Sequence, residues 1–194
     1  MRKVLLALAL LGLAAGSASA TPENLSNGVF IAHYAPSLVY TTDTPAGGWG
    51  EALQTSEDAI DECADQNLRI DGFSDHQMWF IVSAWDEDKV WCSTQMGIEG
   101  YDSVVYLFQD NGPVYPGGGT GLEIYTNNFP HGDPVGGPSG VICGPEGGGW
   151  GPANFEPVWW FEGYAYGEGY GATVVQLGVD PSTAFGGWFN CENP

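Results

Sequence analysis

Basic residues are almost missing from this chain: 194 residues carry 4 Lys and Arg against 24 Asp and Glu. Nucleic acid is bound by clustered Lys and Arg, and an anionic membrane surface attracts the same residues, so both partners are excluded on charge. Also missing are close CxxC pairs, which removes a structural zinc site and a haem attachment. There is no H-E-x-x-H, no P-loop and no dinucleotide fingerprint, and His33, His76 and His131 are too scattered for any ligand spacing. The stretch Gly137-Pro138-Ser139-Gly140-Val141 misses the nucleophile elbow G-x-S-x-G at its last position. No run after the first twenty residues is apolar for the ~20 positions needed to cross a bilayer.

The first twenty residues differ from all that follows. Arg2 and Lys3 precede an unbroken apolar run from Val4 to Leu13, and small residues end at Ala18-Ser19-Ala20. That order is a secretory signal peptide, Met1 to Ala20, cleaved before Thr21. The expected location is secreted, extracellular or periplasmic. What remains is 174 residues, the size of a single domain, with only Arg69 and Lys89 positive and a formal charge of −22. Asn24-Leu25-Ser26 matches a glycosylation acceptor but lies beside the new N-terminus and is given no role.

High charge of one sign favours disorder, but 8 Trp, 9 Tyr and 9 Phe support a packed interior. Cys63, Cys92, Cys143 and Cys191 make an even set, so in an oxidising compartment two disulfides are expected. Spacing leaves three connectivities open, and Cys63 with Cys92 and Cys143 with Cys191 is the preferred one.

Residues 28–34 (GVFIAHY) and 37–42 (SLVYTT), rich in β-branched and aromatic side chains around Pro36, predict two strands or one bent strand. Residues 44–50 (TPAGGWG) predict a turn, and Ser56 followed by acidic residues predicts one short acidic helix over 56–66. Residues 77–85 and 89–98 predict a hairpin linked by Asp86-Glu87-Asp88, with Val90, Cys92, Thr94, Met96 and Ile98 on its core face. Strands are expected over 103–109 and 121–126, a long irregular Gly/Pro loop over 127–153, and a second hairpin from 157–166 and 172–177. Gly-Gly-Trp recurs at Trp49, Trp150 and Trp188 without a fixed period. The expected fold is mainly β, an antiparallel sandwich or curved sheet with that one helix, with α+β as the alternative. Its core should draw on Phe30, Leu38, Phe80, Val82, Val90, Tyr106, Phe108, Trp160 and Val175.

Three kinds of site are compatible with these residues. Oxygen-rich loops suit calcium, and Asp71 and Asp75 in DGFSD with Asp86, Glu87 and Asp88 at the hairpin tip supply carboxylates, though the EF-hand pattern is not met. Flat indole and phenol faces suit a glycan or another apolar-faced ligand, and residues 158–166 are dense in them. Strand alternation sends Trp160, Glu162, Tyr164 and Tyr166 to one side and Trp159 to the other, with Tyr170 nearby and Trp49 and Trp91 as weaker members. A glycosidase would need a carboxylate pair from among Glu51, Asp86, Asp88, Glu123, Glu156 and Glu162. The preferred expectation is a non-catalytic binding or surface-structural module for an extracellular glycan or protein. The alternative is a secreted carboxylate-dependent glycoside hydrolase.

Overall fold

The computed structural model describes residues 28–69, 74–166 and 172–189, apart from the side chains at 74, 75, 87 and 88. The expected signal peptide, Asp71, Tyr170 and Cys191 lie outside the described residues. Among the described residues, nine strands form two antiparallel sheets. Sheet A runs in the order β1 (Gly28–Val39), β2 (Ser74–Trp91), β7 (Trp150–Ala165), β4 (Tyr106–Pro113). Sheet B runs β5 (Gly121–Thr126), β6 (Ser139–Pro145), β3 (Ser93–Glu99), β8 (Gln176–Gly178), and β9 (Gly187–Phe189) also pairs with β3. The mainly β fold with one helix is thus the one the sequence implies, in its sandwich form.

The sheets face each other across an aromatic core. Trp79, Ile81, Tyr106, Phe108, Trp159 and Phe161 of sheet A meet Met96, Ile98, Val141 and Cys143 of sheet B. Sheet A buries its other face as well, with Met78, Phe80 and Val82 beneath Ala35, Trp49, Leu53 and Ile60. This explains why β2 reads as a continuous apolar run: a strand covered on both sides has no polar alternation to show.

Several local expectations are overturned by long-range pairing. The helix lies at Gly48–Gln54 (α1), within and beyond the expected turn, and the acidic stretch 56–66 forms only a 3-10 turn at Cys63–Asp65. Ser56 closes α1 instead of opening a helix: its Oγ donates to the Leu53 carbonyl at 2.8 Å and accepts the Asp58 N–H at 3.1 Å. Glu57, Asp58, Asp61, Glu62 and Asp65 have no basic neighbour in the sequence, and a helix would stack these like charges at i, i+4. Asp58 instead anchors β1, accepting the Ser37 N–H at 2.7 Å and its hydroxyl proton, while its carbonyl lies 2.8 Å from His33 Nε2. Gly47, at φ 80°, makes the left-handed turn into α1.

The first hairpin does not form. Asp86–Asp88 lie inside β2, which continues along β7 to the Trp91–Trp150 pair. Asp-Glu-Asp offers no Gly for a tight turn, and Trp91 gains a stacked contact with Trp150 at 6.1 Å and a 3.0 Å hydrogen bond to Thr94. The phase follows: Trp91 is buried, and Val90, expected in the core, is 50% exposed. The chain crosses from sheet A to sheet B at Cys92, which is half-buried instead of pointing into the core. The second hairpin fails likewise, because β8 pairs with β3 and not with β7. The stretch 127–153 is more regular than its composition implies, containing β6 and the start of β7.

Among the cysteines, Cys63 is an exposed thiol and Cys143 a buried one, so neither expected pair forms. Cys143 sits on β6 opposite Glu123 and Thr94, inside the core between the sheets, while Cys63 lies on the 3-10 turn at the surface. Cys92 is held in a disulfide.

Candidate functional site

Residues 158–163 divide between the two faces of sheet A. A bulge between the Ile81–Trp159 and Val82–Pro157 pairs turns Val158 inward beside Trp159 and Phe161, instead of leaving it with Trp160. Trp159 is fully buried and packs edge-on against Phe129 at 5.5 Å. Trp160 points to the outer face and is half-buried, packing on the second core instead of entering it. Its ring lies 5.8 Å from Tyr40 and 5.8 Å from Trp49, and Tyr40 and Trp49 stack at 5.9 Å. Three aromatics from β7, the end of β1 and α1 therefore meet outside sheet A.

Beside them lies a polar group whose members are far apart in the chain. Glu162, two residues along β7, is 1% exposed and its Oε1 lies 2.8 Å from His76 Nδ1. Burial raises the Glu162 carboxyl above the usual range, with His76 opposing and the charge of Asp110 adding to the rise. Asp110 of β4 is the direct cross-strand partner of Glu162 and accepts the Tyr40 hydroxyl proton. That bond, with burial second, pushes the Tyr40 phenol up to about 12. His76 is 53% exposed and sits at φ 60°, a left-handed conformation uncommon outside Gly, in the bulge between the Ser74 and Gln77 pairings. Asp110 and Glu162 face each other across paired strands, and the Glu162 side chain is sealed from solvent.

The aromatic group borders an open cleft of about 440 Å³. Trp49 and Trp160 form one side; Val114, Tyr115, Gly118, Gly119, Thr120 and Glu123 contribute to the rest. Glu123 is held by two phenols, Tyr115 at 3.3 Å and Tyr125 at 2.7 Å. Burial is the main reason both phenols lie well above the usual tyrosine range, with the neighbouring Glu123 adding to it. Thr120 donates to Glu146 at 3.1 Å, placing a second carboxylate beside the cleft. Glu51 folds back into the space that a side chain at Gly47 would take, next to the lining residue Gly48.

Of the residues expected to bind a ligand, only Trp160 lines this cleft. Glu162 lies beneath the neighbouring aromatics, and Tyr164 and Tyr166 pack on each other edge to face at 4.8 Å. Trp49, a weaker candidate, borders the cleft although it is only 5% exposed, while Trp91 is buried against Trp150. Tyr40, His76, Asp110 and Tyr115 carry no sequence signal, because they reach the site through strand pairing over separations of tens of residues. For calcium, Asp71 and the side chains of Asp75 and Asp88 lie outside the described residues, and Asp86 is exposed. Among the described residues no group of three or more His, Cys, Asp or Glu side chains is arranged to hold a metal ion. Comparison with protein-family models, curated proteins and solved structures yields no match, so the site is read from its own geometry.

Proposed function

We propose that this is an exported, non-catalytic binding module that captures a saccharide in the cleft beside Trp49 and Trp160. The observation that carries the reading is the pair of indoles 5.8 Å apart on the wall of an open, roughly 440 Å³ cleft. Sugar rings present C–H faces that pack on indoles, and carboxylates and carbonyls around such a wall accept the hydroxyl protons. Binding is favoured over hydrolysis because Glu162, the buried member of the Asp110–Glu162 pair, is closed off by its own packing and bonded to His76. A glycosidase needs both carboxyl groups at the scissile bond. Export is supported by the order of charge, apolar run and small residues at the start of the chain.

A screen of the protein against immobilised oligosaccharides tests this reading. Retention on at least one saccharide is expected, weakened about tenfold in Trp160→Ala, a loss in line with removing an aromatic anchor from a binding site. Circular dichroism should show the fold intact. A screen without a single binder, or binding indifferent to Trp160, withdraws the reading.

A further inference from the structure

The cleft is unusual in how its hydrogen-bonding groups are spent. Its backbone N–H groups are largely turned away: Gly48 donates to Pro45, Val114 to Val158, Gly118 to Tyr115 and Gly119 to Pro116. The Tyr115 and Thr120 hydroxyls are committed too, Tyr115 to Leu122 and Glu123, and Thr120 to Glu146. These donors are therefore turned away from a ligand, while the Glu123 carboxylate remains as an acceptor on the lining. A ligand that fits must bring the donors. The lining carries no cationic side chain to hold an anion, and an ammonium group, with three donors and no acceptor, is the best match.

Charge points the same way. Glu123 is the one charged residue among those lining the cleft, Glu146 and Glu51 stand beside it, and the lining contains no Lys, Arg or His. The walls are indoles and a phenol, whose electron-rich faces attract cations. Neither observation depends on the other, since the first concerns hydrogen-bond direction and the second the field.

Building on the glycan reading, we propose that the cleft recognises a cationic saccharide, an amino sugar whose free ammonium group sits against the Trp49 and Trp160 indoles and the Glu123 carboxylate. Glu123 then acts as the counter-ion, and Tyr115 and Tyr125 hold its two oxygens in place. An N-acetylated ring of the same size lacks both the charge and two of the three donors, so it is selected against.

Calorimetric titration separates the possibilities. The probes are a glucosamine oligomer, the N-acetylglucosamine oligomer of equal length, and choline as a non-saccharide cation, each at low and high salt. The glucosamine oligomer should bind about tenfold or more tightly than its acetylated counterpart, with the advantage shrinking at high salt. Glu123→Gln should abolish that advantage, and Trp160→Phe, which keeps the packing, should retain most of it. A preference that survives in Glu123→Gln would be diffuse attraction to the acidic chain and overturns the proposal. Equal affinity for the two oligomers also overturns it while leaving the glycan reading intact. Glu123-dependent binding of choline with neither oligomer bound overturns the saccharide reading instead. Absence of binding by all three probes overturns the amino-sugar proposal, while the glycan reading stands or falls on the oligosaccharide screen.

Discussion

Trp159 and Trp160 are adjacent in sequence and identical in type, yet they belong to different worlds. Trp159 faces sheet B, fully buried among Phe129, Phe161 and Tyr125, with its indole N–H donating to Asn111 at 3.2 Å. Trp160 faces the other way, with one side against the second core and the other bordering the cleft. The inner face of sheet A is covered by a second sheet. Among the described residues, its outer face is covered by a seven-residue helix and the segments around it. A cover that small leaves part of an aromatic surface open, and the open part is where a ligand can bind.

The largest effect that would break this comparison is in stability. Trp159→Ala should cost about 3–5 kcal/mol, the range for deleting a large buried aromatic, and Trp160→Ala about 1–2 kcal/mol in keeping with its half-burial. Urea unfolding of the two variants measures the difference. Equal losses would mean that the outer aromatics are core and the cleft incidental.

A smaller effect concerns the carboxylates. Glu156, opposite Ser83 on the inner face, is pushed up to about 7 by burial alone, whereas on the outer face His76 opposes the rise at Glu162. In the unfolded chain a Glu ionises near ~4.3, so between that pH and about 7 the native state holds more protons than the unfolded state. Stability therefore falls as pH rises through this window and levels off above it. The Glu156 share is at most about 4 kcal/mol, and melting temperatures of the wild type and Glu156→Gln across the window should diverge at the alkaline end, the variant staying flatter. A parallel pair of curves would sink this assignment.

The smallest effect distinguishes the thiols. Cys63→Ala should leave stability within ~0.5 kcal/mol, as for other surface substitutions. Alkylation of the folded protein should label Cys63 and spare Cys143, whose thiol burial pushes well above the usual range. Labelling of both at equal rates would show that the core between the sheets opens readily.

Much of the fold is legible in the amino-acid sequence. The β-branched and aromatic stretches leave two strands or one bent strand open over 28–42, of which the single strand β1 forms, and place β5 correctly; Phe80, Val82, Tyr106 and Phe108 are buried as expected. Alternation also places Trp159 and Trp160 on opposite faces. Turn and helix signals over 56–66 and 86–88 are local preferences worth a fraction of a kcal/mol per residue. The turn signal at 86–88 yields to pairing of β2 with β7 over eighteen residues of strand, and the helix signal over 56–66 to like-charge repulsion and the anchoring of β1 by Asp58. Val90 shows the penalty of a shifted register, since one step along a strand exchanges inside for outside.

The candidate site is legible only in part. Trp160, Trp49 and Glu123 can each be picked out by residue type, but nothing local says that they share a cleft, because β7, α1 and β5 meet only once both sheets are assembled. The sequence by itself determines the acidity of the chain, its want of basic residues and the alternation of its aromatics, because these are properties of residue type and spacing. Tertiary structure alone decides which tryptophan is sealed and which is offered, where the chain changes sheets, and which carboxylate stands beside an indole. Those outcomes depend on contacts between segments far apart in the chain, whose energies exceed the preferences of the segments themselves.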